Sequence, residues 1–186
     1  MPLFDSAAVI LMLLVPLLSM GLFSLEFLDG SFSLLLSSPL SMSQIVAGKY
    51  LALLTTMVVI LLLVALMPLS LLLGGPLDLG TLSAGLLGLA LILAAYSAVG
   101  LFLSSLTRQP AIAAIGSYGV LLLLWIISLA GSGKGSELFA QISISSHFHR
   151  LLSGLVVSTD LFYFALLILA CLLLTIRRLD SLRSQG

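Results

Sequence analysis

Two short strings bring together side chains of the kind that do chemistry, and neither is complete. Gly131-Ser132-Gly133-Lys134-Gly135-Ser136 has the outline of a phosphate-cradling loop. It lacks the first glycine at the required spacing, and Gly135 stands where a Ser or Thr must follow the lysine to hold Mg2+. It reads as a connecting loop, so the chain carries no ATP site of its own. His147-Phe148-His149 offers two imidazoles. On a helix, positions i and i+2 point apart, and no Cys, Asp or Glu is adjacent to complete a metal shell. A solvated helix face is the simpler reading. A lipid-modifying enzyme using His147 and His149 is the weaker alternative.

A negative observation carries more weight. No ionisable residue lies deep within any apolar run. Proton relays, ion-coupled transporters and voltage sensors place such groups at the bundle centre, and intramembrane hydrolases need buried catalytic side chains. No catalytic, cofactor-binding or metal-binding residue is therefore expected. The remaining route to vectorial work is energy taken from a partner at the surface.

The elements that would receive that energy follow from composition. Of 186 residues, 61% are hydrophobic and 8% charged, a balance no soluble domain of this size shows. Lys+Arg equals Asp+Glu, so charge gives no reason to expect nucleic acid. Cys171 is the lone cysteine and cannot form an intrachain disulfide. The N-terminus lacks the basic region of a signal peptide, and its apolar run reads as a retained span. The pattern predicts an all-α polytopic membrane bundle, with spans at about 6–27, 42–73, 82–106, 111–131 and 160–177. Pro16 should kink the first and Pro68 bend the second. Ala90, Ala94 and Ala98 recur every four residues on the third span, and Gly100 with Ser104 extends the theme. Gly116 and Ser117 thin the fourth. Such small-residue faces pack helices closely; a path-lining face is the alternative. An amphipathic helix over about 146–156 should lie on the membrane, with Arg150 and the two histidines toward water.

The longest polar interruption before residue 130 lies between the first two spans, from Glu26 to Tyr50. Gly30 can end a helix, and Ser31 can cap a short one over 32–37. Ser38-Pro39 breaks it. Ser41 and Gln44 fit a capping box that starts the second span, and Lys49 can snorkel to headgroups. The bland reading is a surface connector. Five spans place the termini on opposite sides. Lys49, Arg108, Arg177, Arg178 and Arg183 fall on one side, Lys134 and Arg150 on the other. The positive-inside rule puts the larger group in the cytoplasm, hence the N-terminus outside and the C-terminus inside.

Several strings resemble the type-2 ABC transporter permease family, nearest the branch associated with gliding-motility transporters. They are Phe23-Ser24-Leu25-Glu26 at a span end, Gly30 to Ser41 with its Leu34-Leu35-Leu36-Ser37-Ser38-Pro39 core, and Ile45-Val46-Ala47-Gly48-Lys49. Gly100-Leu101-Phe102-Leu103-Ser104-Ser105 and Ser146-His147-Phe148 add to them. The resemblance spans essentially the whole chain and implies a permease of the prokaryotic plasma membrane. Two permease chains, identical or different, would pair on cytoplasmic ATPase subunits that hold ATP and Mg2+. It also implies that the 28–41 segment is the coupling helix, with Glu26, Gly30, Ser31, Leu35, Ser38, Pro39 and Ser41 meeting the ATPase. Leu25, Phe27, Leu28 and Ser33 depart from charged positions of the family pattern. The chain starts where the family's second span starts, so the first is expected to be missing, through truncation, degeneration or supply by another chain. The leading expectation is the membrane subunit of an ATP-driven exporter. A non-transporting scaffold, or a truncated permease remnant, with 26–44 as docking platform is the alternative.

Overall fold

The computed structural model describes residues 2–32, 35, 38, 40–71, 79–130, 148, 150 and 157–184. Among these there is no strand; the chain is a helical bundle. In order come α1 (Pro2–Ser19), α2 (Gly21–Leu28), α3 (Met42–Leu71), α4 (Leu79–Leu106), α5 (Pro110–Ala130) and α6 (Ser158–Arg183). Four stretches are long and apolar enough to cross a membrane: Phe4–Leu28, Met42–Pro68, Leu82–Leu106 and Ser158–Arg183. Pro110–Ile126 is a shorter apolar helix beside them. The glycine-lysine loop, Pro39, His147, His149 and most of the expected outer helix lie outside the described residues.

α4 is the hub. In its spanning window 61% of the residues are buried, against 22% in that of α3 and 17% in that of α6. It packs against all the other helices. The outer helices turn Leu51, Val58, Leu62, Ile115, Leu166 and Leu173 outward, as a lipid-facing belt requires. In lipid no water drives helices together, so close backbone approach and hydrogen bonds must hold the bundle. α4 supplies both through small residues. A Cβ on Gly100 would stand 2.0 Å from Ser19 Oγ and 2.7 Å from Ser19 Cβ. A Cβ on Gly85 would stand 2.8 Å from the Phe4 ring. Tyr50 donates to the Ala94 carbonyl at 3.0 Å, tying α3 to α4, and Tyr118 donates to the Leu13 carbonyl, tying α5 to α1.

The first span is interrupted at Met20, four residues beyond the kink expected at Pro16. The cause is a side chain from elsewhere. Ser104 of α4 places its hydroxyl in the backbone ladder, donating to the Met20 carbonyl at 2.8 Å. It accepts from the amides of Phe23 at 3.0 Å and Ser24 at 3.2 Å. A hydroxyl inserted into the i→i−4 ladder breaks a helix as surely as proline does. Two details go beyond the sequence reading. α6 continues past 177 to Arg183, because Leu179 is buried and Leu182 packs on the same cluster. Arg150 does not simply face water: its Nη2 lies 2.8 Å from Oδ1 of fully buried Asp160 in the first turn of α6. A buried carboxylate needs such a partner.

Gly100→Ala tests the close approach. The added methyl meets the root of Ser19, not a flexible tip, so α1 and α4 must part. The expected loss is about 1–3 kcal/mol, read as a lower thermal midpoint of the detergent-solubilised chain. Gly48→Ala, inside α3 where a Cβ meets nothing within 4 Å, should not lower the midpoint and should raise it slightly through helix propensity.

Candidate coupling site at one end of the bundle

At the end of the bundle where α2 stops and α3 starts, the connecting segment is fixed at several points. α2 ends as its sequence directs. The Asp29 amide donates to the Leu25 carbonyl, and Gly30 follows at φ +72°. That left-handed conformation is open to glycine and strained for a residue with a Cβ. Ser31 comes next, half-buried, its carbonyl accepting from the Leu35 amide at 3.4 Å. The partners expected for its hydroxyl, residues 33 and 34, lie outside the described residues. Leu35 packs on the cluster that contains Phe23, Phe32, Met42 and Leu179. Ser38 Oγ donates to the Leu35 carbonyl at 2.8 Å and closes the turn. Ser41 and Gln44 then cap α3 reciprocally. The Ser41 amide donates to Gln44 Oε1 at 3.1 Å, and the Gln44 amide to Ser41 Oγ at 3.4 Å. Met42, beside the cap, is buried and anchors it.

The two ends of the segment are clasped together. Lys49, expected to reach for headgroups, turns inward and pairs with Glu26. It also donates to the Leu22 carbonyl and stands 4.5 Å from the centroid of the Phe23 ring. Side-chain exposures of 18% and 26% make the pair partly dry, so it is screened less than a surface bridge. The negative end of α2 and the aromatic face both favour the ammonium there. Glu26 Oε2 is buried without a hydrogen-bond partner among the described residues. Phe27 and Phe32 stack across the glycine turn, ring centroids 4.4 Å apart and tilted by 55°. From the other end of the chain, Arg183 Nη1 donates to the Leu40 carbonyl at 3.4 Å.

The expected site residues therefore fall in two places. Glu26 forms the clasp, Gly30, Ser31, Leu35, Ser38 and Ser41 lie along the connecting segment beyond it, and Pro39 lies outside the described residues. The small-residue group sits within the bundle instead. Ala98 and Ser117 are buried, and Ala90, Ala94 and Gly116 are half-buried. Ser117 donates to the Ala113 carbonyl within its own helix at 2.7 Å, and a Cβ on Gly116 would touch Leu103 at 3.1 Å. Sequence reasoning missed Lys49 as a clasp, the Phe27–Phe32 stack and the Arg183 tether. The missed signal for the clasp was a lone acid and a lone base flanking the segment. Where the family pattern carries charge, Leu25 and Leu28 are exposed apolar residues and Phe27 is half-buried.

These features define an integral membrane protein of several helices, in which a short surface segment is held to two of them at one end. Residues 3–180 match the family described as ABC-2 family transporter protein. The chain belongs to that transporter family, as a membrane-embedded component. No curated protein and no solved structure matches the chain.

A mutant cycle tests the clasp. Glu26→Gln and Lys49→Met should each destabilise, and the double variant should lose less than their sum. The expected coupling is on the order of 1–2 kcal/mol, measured by thermal or denaturant unfolding in detergent.

Proposed function

We propose that this chain is the permease subunit of an ATP-driven exporter, moving its substrate with energy from ATP hydrolysed on a separate cytoplasmic ATPase chain. ATP and Mg2+ would be held by that partner. A second permease chain would complete the membrane portion. On this reading the end carrying Lys49, Arg108, Arg177, Arg178 and Arg183 faces the cytoplasm of a prokaryotic cell, in line with the positive-inside rule. The observation that carries the proposal, together with the family match, is the clasped segment from Glu26 to Lys49.

A lever needs stiff joints. The Gly30 turn, the Ser41–Gln44 box and the Glu26–Lys49 pair hold the segment to α2 and α3. The Ser104 hydroxyl holds α2 to α4. A push on the segment is thereby passed to the hub helix. Such coupling requires the ATP-bound and ATP-free partner to bind the segment in different poses. Glu26, Gly30, Ser31, Leu35, Ser38, Pro39 and Ser41 are the residues assigned to it.

Two measurements test the reading. Affinity purification of the chain from its native membranes should bring down an ABC-type ATPase. Recovery of the chain alone would favour a scaffold. Gly30→Val forces a β-branched residue into a left-handed conformation. It should cut partner-stimulated ATP hydrolysis or export at least tenfold while the ATPase still co-purifies. Loss of assembly alone, with hydrolysis by the remaining complex unchanged, would favour the docking platform.

A further inference from the structure

Beside the clasp lies a cavity of about 230 Å³ formed by three separate parts of the chain. Phe27 and Phe32 come from the glycine turn, Thr107 and Arg108 from the connector after α4, and Arg178 and Leu182 from the last turns of α6. Two guanidinium groups thus meet one pocket whose other walls are largely aromatic and aliphatic. No carboxylate lines it among the described residues. Like charges brought to one site repel, though water screens the repulsion between these two exposed arginines. The cost is met elsewhere in this protein by partners: Lys49 has Glu26, Arg150 has Asp160, and Arg183 has the Leu40 carbonyl. Among the described residues, Arg108 and Arg178 have no such hydrogen bond or ion pair.

The level of the pocket narrows what would supply the missing charge. The apolar stretches Phe4–Leu28 and Leu82–Leu106 end beside the pocket, which lies toward one end of the bundle. A ligand there meets the side chains of two arginines together with Phe27, Phe32 and Leu182. Guanidinium groups bind phosphate oxygens in pairs. Apolar walls next to them suit the glycerol and first methylenes of a lipid. Basic pockets between membrane helices hold anionic headgroups for these reasons. We propose that the pocket between Arg108 and Arg178 binds the phosphate-bearing headgroup of an anionic phospholipid from the adjoining leaflet. The lipid adds to the apolar contacts that already join the glycine turn, α4 and α6. The inference stands apart from the exporter reading, since lipid surrounds these helices whatever they transport.

The test uses the full chain purified in mild detergent, offered phosphatidylglycerol or phosphatidylcholine of identical acyl chains, with bound lipid counted by native mass spectrometry. Phosphatidylglycerol should be retained in preference. Arg108→Gln and Arg178→Gln should each lower that retention roughly fivefold, with phosphatidylcholine unaffected. Arg177→Gln removes the same charge from the neighbouring residue, which does not line the pocket, and should retain the lipid. Both pocket arginines are exposed, so the variants should fold; an unchanged thermal midpoint without added lipid checks this. Equal retention of the two lipids, or an equal fall in Arg177→Gln and Arg178→Gln, would overturn the proposal in favour of diffuse attraction. Displacement of the lipid by inorganic phosphate at equal concentration would overturn it in favour of a free-phosphate site. Unchanged lipid retention in the double variant, with a cytoplasmic protein lost from the purified complex, would overturn it in favour of protein docking.

Discussion

The approach of the first span to α4 is the contact on which the other arrangements depend. Helices in a bilayer gain little by hiding apolar surface from one another, because lipid tails solvate that surface equally well. Affinity must come from backbones that come near enough for dispersion and for hydrogen bonds to backbone groups. Gly100 opens the space, and Ser104, one turn on, fills it with a hydroxyl that both donates and accepts. With no water to compete, those bonds set the direction in which α2 leaves the break at Met20. That direction decides where Glu26 stands, and hence whether Lys49 can reach it. The charged clasp is downstream of a glycine and a serine some eighty positions along the chain.

Charge is placed with economy around this frame. A protein with so few ionisable groups has little surface on which to leave them solvated, so most described ones are engaged. Asp160 at the far end is fully buried and is met by Arg150. Lys49 is held by a carboxylate, a carbonyl and an aromatic face at once. Each arrangement answers the same constraint, that a charge near hydrocarbon must bring its counter-charge or acceptors with it. Arg108 of the α4–α5 connector and Arg178 of α6 are exposed to water and line one pocket together.

Local physics was legible in the sequence, and long-range physics was not. Gly30 takes the left-handed conformation its position predicts, and Ser41 with Gln44 makes the reciprocal cap. Both are encoded within four residues. The helical membrane bundle was legible too, since apolar run length is nearly sufficient to define a span. A kink is expected at Pro16 because proline announces itself, whereas a hydroxyl arriving from α4 to break the helix at Met20 leaves no mark near residue 20. Lys49 was read as snorkelling because a lone lysine near a span end has that option by default. Only the folded position of Glu26 offers it a better one. Arg150 does reach water, but its carboxylate partner lies ten residues on in another helix, where a local reading does not find it.

The stiffness of the clasped segment bears on how a force at the membrane surface could reach the bundle interior. A connector held only at its two ends absorbs a push by bending, and nothing moves beyond it. Here the segment is tied by backbone caps to α2 and α3, by Leu35 to a buried cluster, and through Leu40 to the end of α6. A displacement that keeps these bonds must carry α2 with it. α2 in turn is joined to α4 through the Ser104 hydroxyl, and α4 touches all the other helices. Packed interiors shift between discrete arrangements more readily than they deform continuously. On the proposed reading, a small motion of the segment is therefore either resisted or passed to the hub as a whole, as energy supplied from outside the membrane would require.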